Sequence, residues 1–132
     1  MQLEINKRLY DVYFGIDALD KINNAYAIDQ QGMNVNLVVG EGLNFLYFGL
    51  EALNPVAVRN FIEAGTSTLK SKPPKMDVEN FIVDLIETDK MEEFCGECTD
   101  FLKNAPLTRK SIGEMLKEVE REEKKEKKEQ KA

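Results

Sequence analysis

The chain has 132 residues, of which 42% are hydrophobic, with two cysteines, no histidine and a formal net charge of −6 at pH 7. One domain of this length can bury a core without disulfides or metals. Without histidine there is no Ser-His-Asp triad, and two cysteines cannot complete a tetrahedral zinc site, so we expect a protein that is not an enzyme and has no metal or cofactor. Its acidic charge argues against nucleic acid and anionic membranes as partners.

The N-terminal segment, Met1–Asn6, lacks the basic and apolar regions of a signal peptide. The longest apolar runs are far shorter than the ~20 residues that a membrane-spanning helix needs. Low cysteine usage is typical of proteins in reducing compartments. These features predict a cytoplasmic location.

The chain opens with two short β-favouring runs, residues 2–6 and 9–14, separated by Asn6-Lys7-Arg8. Leu3 and Ile5 alternate with polar side chains, a pattern that predicts a β-hairpin. A disordered arm is the alternative. A lone hairpin is only marginally stable, so we expect this one to pack on the rest of the chain.

Two helices are predicted next. Apolar residues at steps of three and four indicate an amphipathic helix that buries Ile16, Leu19, Ile22 and Tyr26. Residues 35–53 are apolar on most sides, which favours a helix at the centre of the fold. This second helix contains three glycines that either permit close helix packing or mark a break: Gly40, Gly42 and Gly49.

Three more helices follow in the body. Asn54-Pro55 is a start signal for the first, which is expected to reach Leu69. Asp77 is expected to cap the second, and Thr88-Asp89 the third. The second helix should bury four apolar residues, which are Phe81, Ile82, Leu85 and Ile86.

The composition changes after residue 106. Residues 114–132 hold seven Glu and seven Lys or Arg, and the last apolar residue before Ala132 is Val119. We therefore divide the chain into residues 1–106, a hairpin plus helical body, and residues 107–132, a short helix followed by a charged tail. That tail is either a solvated, partly formed helix or disordered. The predicted class is α+β, mainly α, with an N-terminal hairpin packed on a bundle of about five helices.

Cys95-Gly-Glu-Cys98 is the one pattern in the sequence that suggests a chemical role for its side chains. The spacing places both thiols on one face of a helix, which favours buried structural cysteines. A redox pair and half of an intermolecular metal site are the alternatives.

Large aromatic rings are numerous for a body of this size. Some stand on the helix that is apolar on most sides. Plain core is the favoured interpretation of these rings, and an exposed apolar patch for a partner or for self-association is the functional alternative. The candidate partner-binding residues are Phe45, Tyr47, Phe48 and Phe61, and no catalytic or metal-binding residue is nominated.

The order of these signals resembles the tail assembly chaperones of long-tailed phages and prophages of Gram-positive bacteria. The likeness covers residues 1–104, and one departure is Asn6-Lys7-Arg8, where the family pattern has Asn-Gly-Lys. The positions that carry the likeness are Met1–Asn6, Tyr10, Phe14-Gly15-Ile16, Leu19-Asp20, Gly42-Leu43, 53–58 and 77–82.

The resemblance implies a function in tail morphogenesis. Such proteins bind and solubilise the tape measure protein, help to recruit the tail tube protein, act in the host cytoplasm and are absent from the mature virion. Many are also made in a longer, frameshifted form, for which Lys124-Lys125 and Lys127-Lys128 are candidate slippage positions. Homo-oligomers are plausible. The alternatives are a small thiol redox protein that uses Cys95 and Cys98, and a structural or adaptor protein.

Overall fold

The structure is a computed structural model that describes residues 1–29 and 41–130. Within these residues the fold is α+β and mainly α, with an N-terminal hairpin, as predicted. The part of the predicted second helix that covers residues 35–40, including Gly40, lies outside the described residues. The elements are β1 (Gln2–Ile5), β2 (Arg8–Asp11), α1 (Ile16–Asp29), α2 (Glu41–Glu51), α3 (Pro55–Gly65), α4 (Lys75–Glu87), α5 (Met91–Asn104) and α6 (Arg109–Gln130).

The hairpin has a tight, two-residue turn. Strands β1 and β2 are antiparallel with Ile5 opposite Arg8, which leaves Asn6 and Lys7 in the turn. Both residues have positive φ, 50° and 64°, as a two-residue type I′ turn requires. A lysine in this conformation costs about 1 kcal/mol that glycine would not, so the strand pairing holds the turn in place without the usual glycine.

The hairpin packs one face on the helical body. The Tyr13 N–H donates to the carbonyl of Gly65 at 2.9 Å, and the Asn6 side-chain amide donates to the Asp77 carboxylate at 3.3 Å. These contacts join the first strands to α3 and α4, so the N-terminal arm is ordered. The buried hydrophobic residues of this segment are Leu3, Ile5, Tyr10, Val12 and Phe14.

Helices α1 and α2 approach each other closely at Gly42. The Gly42 N–H donates to the Asn23 side-chain oxygen at 3.1 Å, and a Cβ at position 42 would lie 2.8 Å from the Asn23 Cα. At Gly49 a Cβ would lie 2.7 Å from the Cβ of Ala57 on α3. Close packing, one of the two roles predicted for these glycines, is therefore confirmed at both positions.

A matched pair of glycine substitutions tests this packing. Gly42→Ala should lower the free energy of unfolding by about 1–3 kcal/mol, because backbone atoms of α1 must move to admit the methyl group. Gly96→Ala on α5 should raise it by up to about 1 kcal/mol, because alanine has the higher helix propensity and nothing lies within 4 Å of the new Cβ. Urea unfolding followed by circular dichroism measures both. Equal effects at the two sites would contradict the close approach.

The predicted stripe of α1 is wrong at one position. Ile16 is exposed, whereas Ala18 and Ile22 are fully buried and Tyr26 is partly buried. The small apolar residue Ala18 faces the core, and because successive helical residues are 100° apart, this turns Ile16 to the opposite side.

Three predicted helix boundaries also need correction. Helix α3 ends at Gly65, before Leu69, because the Thr66 hydroxyl donates to the Ile62 carbonyl and closes the last turn. Helix α4 begins at Lys75, after Pro74, so Asp77 lies inside its first turn and does not cap it. Thr88 closes the end of α4 by donating to the Asp84 carbonyl, and α5 begins only at Met91, without a side-chain cap.

Helix α6 has a packed half and a solvated half. Ile112 is fully buried, and Met115 and Leu116 pack against the core. Every described side chain from Glu120 onward is exposed. The predicted domain division at residue 106 remains a prediction, with α6 beginning three residues later.

Candidate partner-binding surfaces

The structure separates the four predicted contact residues into two pairs. Phe61 is fully buried, and its ring lies 5.1 Å from that of Phe14 between centroids. Tyr47 is also buried, with the Lys103 ammonium 5.9 Å from its ring centroid, and burial raises the pKa of Tyr47. Phe45 and Phe48 remain 42% and 45% exposed. The exposed pair can meet a partner directly, whereas the buried pair supports the core.

Phe45 and Phe48 form an apolar surface on the outer side of α2. They lie three residues apart and therefore on one helix face. The Phe45 ring stacks against Tyr26 of α1, with centroids 5.8 Å apart. This stacking fixes the position of the Phe45 ring while leaving much of it in contact with solvent.

A second apolar surface is a groove between α3 and α4, with a volume of about 630 Å³. Its lining runs from Pro55 to Glu63 on α3 and from Lys75 to Ile86 on α4. The apolar part of the lining consists of Pro55, Val56, Ile82, Val83 and Ile86.

The sequence of each helix explains why its apolar residues reach this groove. The Asn54 side chain accepts a hydrogen bond from the Val56 N–H at 2.9 Å, so the predicted Asn54-Pro55 start is confirmed and Val56 lies in the first turn. On α4, Val78, Ile82 and Leu85 face the core. Val83 and Ile86 lie beside this buried stripe and are 45% and 49% exposed.

The charged residues around the groove balance one another. Arg59 and Lys75 supply two positive charges, and Glu63 and Glu79 supply two negative charges. A balanced rim around an apolar floor does not select a strongly charged ligand. It suits the apolar stripe of an amphipathic helix, which binds through side chains at i, i+3, i+4 and i+7.

Sequence reasoning missed this groove because it assigned Ile86 to the core. That assignment is wrong, since Ile86 lines the open groove. The signal was present in the width of the apolar stripe of α4. Residues 82, 83, 85 and 86 cover more of the helix circumference than one core contact can bury.

Both cysteines lie inside the protein. Cys98 is fully buried and Cys95 is 2% exposed, and neither forms a disulfide. Burial raises the pKa of the Cys95 thiol and, together with the nearby Cys95 and Glu97, that of Cys98. A raised pKa disfavours the thiolate on which redox chemistry depends, so this environment supports structural thiols.

Thiol labelling provides a test. At pH 8 a disulfide reagent should modify the native chain on the order of a hundredfold more slowly than the urea-unfolded chain, because reaction requires local opening. Because burial penalises the thiolate, the stability of the fold is highest below about pH 8.5, the ordinary thiol pKa, and declines as the pH rises further. Equal labelling rates in the native and unfolded chains would restore the redox hypothesis.

The described residues contain no group of three or more cysteine, aspartate or glutamate side chains arranged to hold a metal ion. None of the described helices combines the length and hydropathy needed to cross a bilayer.

Exposed apolar surfaces on a small helical scaffold are typical of proteins that bind other proteins. A family model for phage tail assembly chaperone proteins (TAC) matches residues 2–125. The chain therefore belongs to the phage tail assembly chaperone family. No curated protein and no solved structure gives a significant match to it.

Proposed function

We propose that this chaperone binds apolar helical segments of the tape measure protein and keeps them soluble during tail assembly. The observation that carries the proposal is the α3–α4 groove, whose apolar residues come from the start of α3 and the second half of α4 and are open to solvent. Binding there is reversible and noncovalent, so the role requires no catalysis and no cofactor.

Phe45 and Phe48 are proposed as a second contact surface for the same partner. They belong to α2, the helix that precedes α3. Two surfaces on one subunit increase the apparent affinity for a long partner, because the second contact forms at high effective concentration. Tyr47 and Phe61 act indirectly in this proposal by holding α2 and α3 in place.

Co-expression with the tape measure protein tests the function. We expect the soluble fraction of the tape measure protein to rise when the chaperone is present, and the two proteins to co-purify. A tape measure protein whose solubility is unchanged would refute the proposal. A pull-down with the tail tube protein tests recruitment separately.

The proposed role also predicts where the protein is found. We expect it in the cytoplasm of an infected or lysogenic bacterium, with Gram-positive hosts following from the resemblance. Mass spectrometry of purified virions should not detect it. Detection at the stoichiometry of a tail component would support the alternative of a structural protein.

A longer, frameshifted form is a further part of the proposal. Lys124-Lys125 and Lys127-Lys128 are positions where the message can contain a run of adenines. The frameshift requires a slippery heptamer at one of these pairs and an overlapping downstream reading frame, and the nucleotide sequence can be inspected for both.

A further inference from the structure

The charges of this chain are distributed unevenly. Residues 109–132 contain nine basic and seven acidic side chains, whereas residues 1–108 contain nine basic and seventeen acidic ones. The excess negative charge therefore belongs to the body. The segment that forms α6 is slightly positive.

Five of the eight positive charges of α6 form a stripe. Its members are spaced 7, 4, 3 and 4 residues apart, so they share one face of the helix, and all are exposed. We call this face the basic stripe, and it consists of Lys110, Lys117, Arg121, Lys124 and Lys128.

The basic stripe points away from the body of its own chain. The opposite face of α6 carries Ile112, Leu116 and Val119, of which Ile112 is fully buried and Leu116 packs against the core. Among the residues that the structure describes, the one ion pair within 4.0 Å joins Arg121 to Glu118 at 3.5 Å, and both side chains are largely exposed. Glu114 lies at the edge of this face, four residues after Lys110 and three before Lys117, so the stripe is positive but not free of negative charge.

A complementary surface lies on α5. Glu93, Glu97 and Asp100 are spaced four and three residues apart and are exposed, and we call them the acidic face. Lys103, a basic residue of the same helix, lies over the Tyr47 ring. Further exposed carboxylates on α4, in the turn after it and at the start of α5 add to the negative charge of the body, namely Asp84, Glu87, Asp89 and Glu92.

The acidic face borders a shallow pocket of about 580 Å³. Glu97 and Asp100 lie at this pocket, and Met1, Phe101 and Ala105 supply apolar surface to it. Lysine and arginine bury their aliphatic stems on apolar surface while their charged ends remain beside carboxylates. The pocket therefore has the chemistry to receive long basic side chains.

We propose that the basic stripe of α6 docks onto the acidic face of α5 in a second copy of this chain. The two surfaces are different patches of one subunit, so copies can join head-to-tail, and each copy added in this way leaves another stripe free. Nucleic acid is a poorer occupant, because glutamates flank the stripe and the acidic body repels phosphate. An open row of subunits matches the needs of a chaperone for an extended partner.

The expected contact is weak in isolation. Exposed ion pairs contribute little individually and are screened by salt. Copies that are bound side by side on one partner gain effective concentration, which strengthens such contacts without new interactions. The self-association should therefore be visible with the chain alone at high concentration and low ionic strength.

The experiment is a charge swap followed by sedimentation velocity over a range of concentrations. The first variant reverses the stripe with Lys117→Glu, Arg121→Glu and Lys124→Glu. The second reverses the acidic face with Glu93→Lys, Glu97→Lys and Asp100→Lys. Each variant alone should associate at least about tenfold more weakly than the unmodified chain, and an equimolar mixture of the two should regain association because the reversed surfaces are complementary.

A third variant controls for net charge. Lys21→Glu, Lys70→Glu and Lys72→Glu change exposed lysines outside both surfaces by the same total charge as the stripe variant, and this chain should still associate. Far-UV circular dichroism checks that helix content is retained, and the acidic-face variant leaves α6 unchanged. A monomeric wild-type chain at low salt, a control that dissociates equally, or a mixture that stays monomeric would overturn the proposal. Since no tape measure protein is present, failure here leaves the chaperone test intact.

Discussion

Replacing Val83 and Ile86 with lysine is expected to abolish solubilisation of the tape measure protein while the chaperone itself stays folded. Both side chains are about half exposed, so the substitutions remove little from the core. They place two charges on the floor of the α3–α4 groove, where a bound apolar helix would leave them desolvated and unpaired. The measurement is the soluble fraction of co-expressed tape measure protein, compared at equal chaperone levels.

Met76→Lys is the control for this experiment, with one added charge in place of two. Met76 is an apolar residue of the same helix and is 64% exposed, but it does not belong to the groove lining. The control variant should solubilise the partner as well as the unmodified chain does. If it fails equally, charge on α4 is harmful in general, and if the groove variant still works, the partner binds elsewhere.

Phe61→Ala should lower the free energy of unfolding by about 3–5 kcal/mol, a typical cost for deleting a fully buried ring. Phe61 contacts two other rings, with centroid distances of 5.1 Å to Phe14 and 6.0 Å to Phe101. The total stability of a domain is about 5–15 kcal/mol, so this loss brings the protein close to unfolding. Urea unfolding monitored by circular dichroism at low temperature measures the effect.

Phe48→Ala is the comparison for Phe61. Phe48 is 45% exposed, and its removal should change the unfolding free energy by less than about 1 kcal/mol. Its effect should instead appear as weaker co-purification of the tape measure protein. Similar stability losses for the two variants would show that the outer face of α2 belongs to the core of the protein.

Much of the architecture could be predicted from local patterns. Alternation at Leu3 and Ile5 predicted the hairpin, and Asn54-Pro55 predicted the start of α3. Such signals are informative because the alternation of apolar residues along a strand and the preference of Asn and Pro for a helix start depend on only a few neighbouring residues. The family resemblance added the chaperone function, which the family match confirms in general terms.

The division of apolar residues between core and surface depended on tertiary structure. Phe45, Tyr47 and Phe48 are near neighbours on a helix that is apolar on most sides. The positions of the helices packed against it, α1, α3, α5 and α6, decide which of the three are buried. The same applies to Ile86. Its spacing from Ile82 fits the buried face of α4, but the packing of α3 and α4 leaves its side chain in the open groove.

What the sequence determined by itself was the type and order of the elements, the location of the charges and the lack of histidine chemistry. These follow from the residues without reference to distant contacts. The tertiary structure alone decided which apolar faces remain uncovered, because burial depends on the packing of helices that are far apart in the chain.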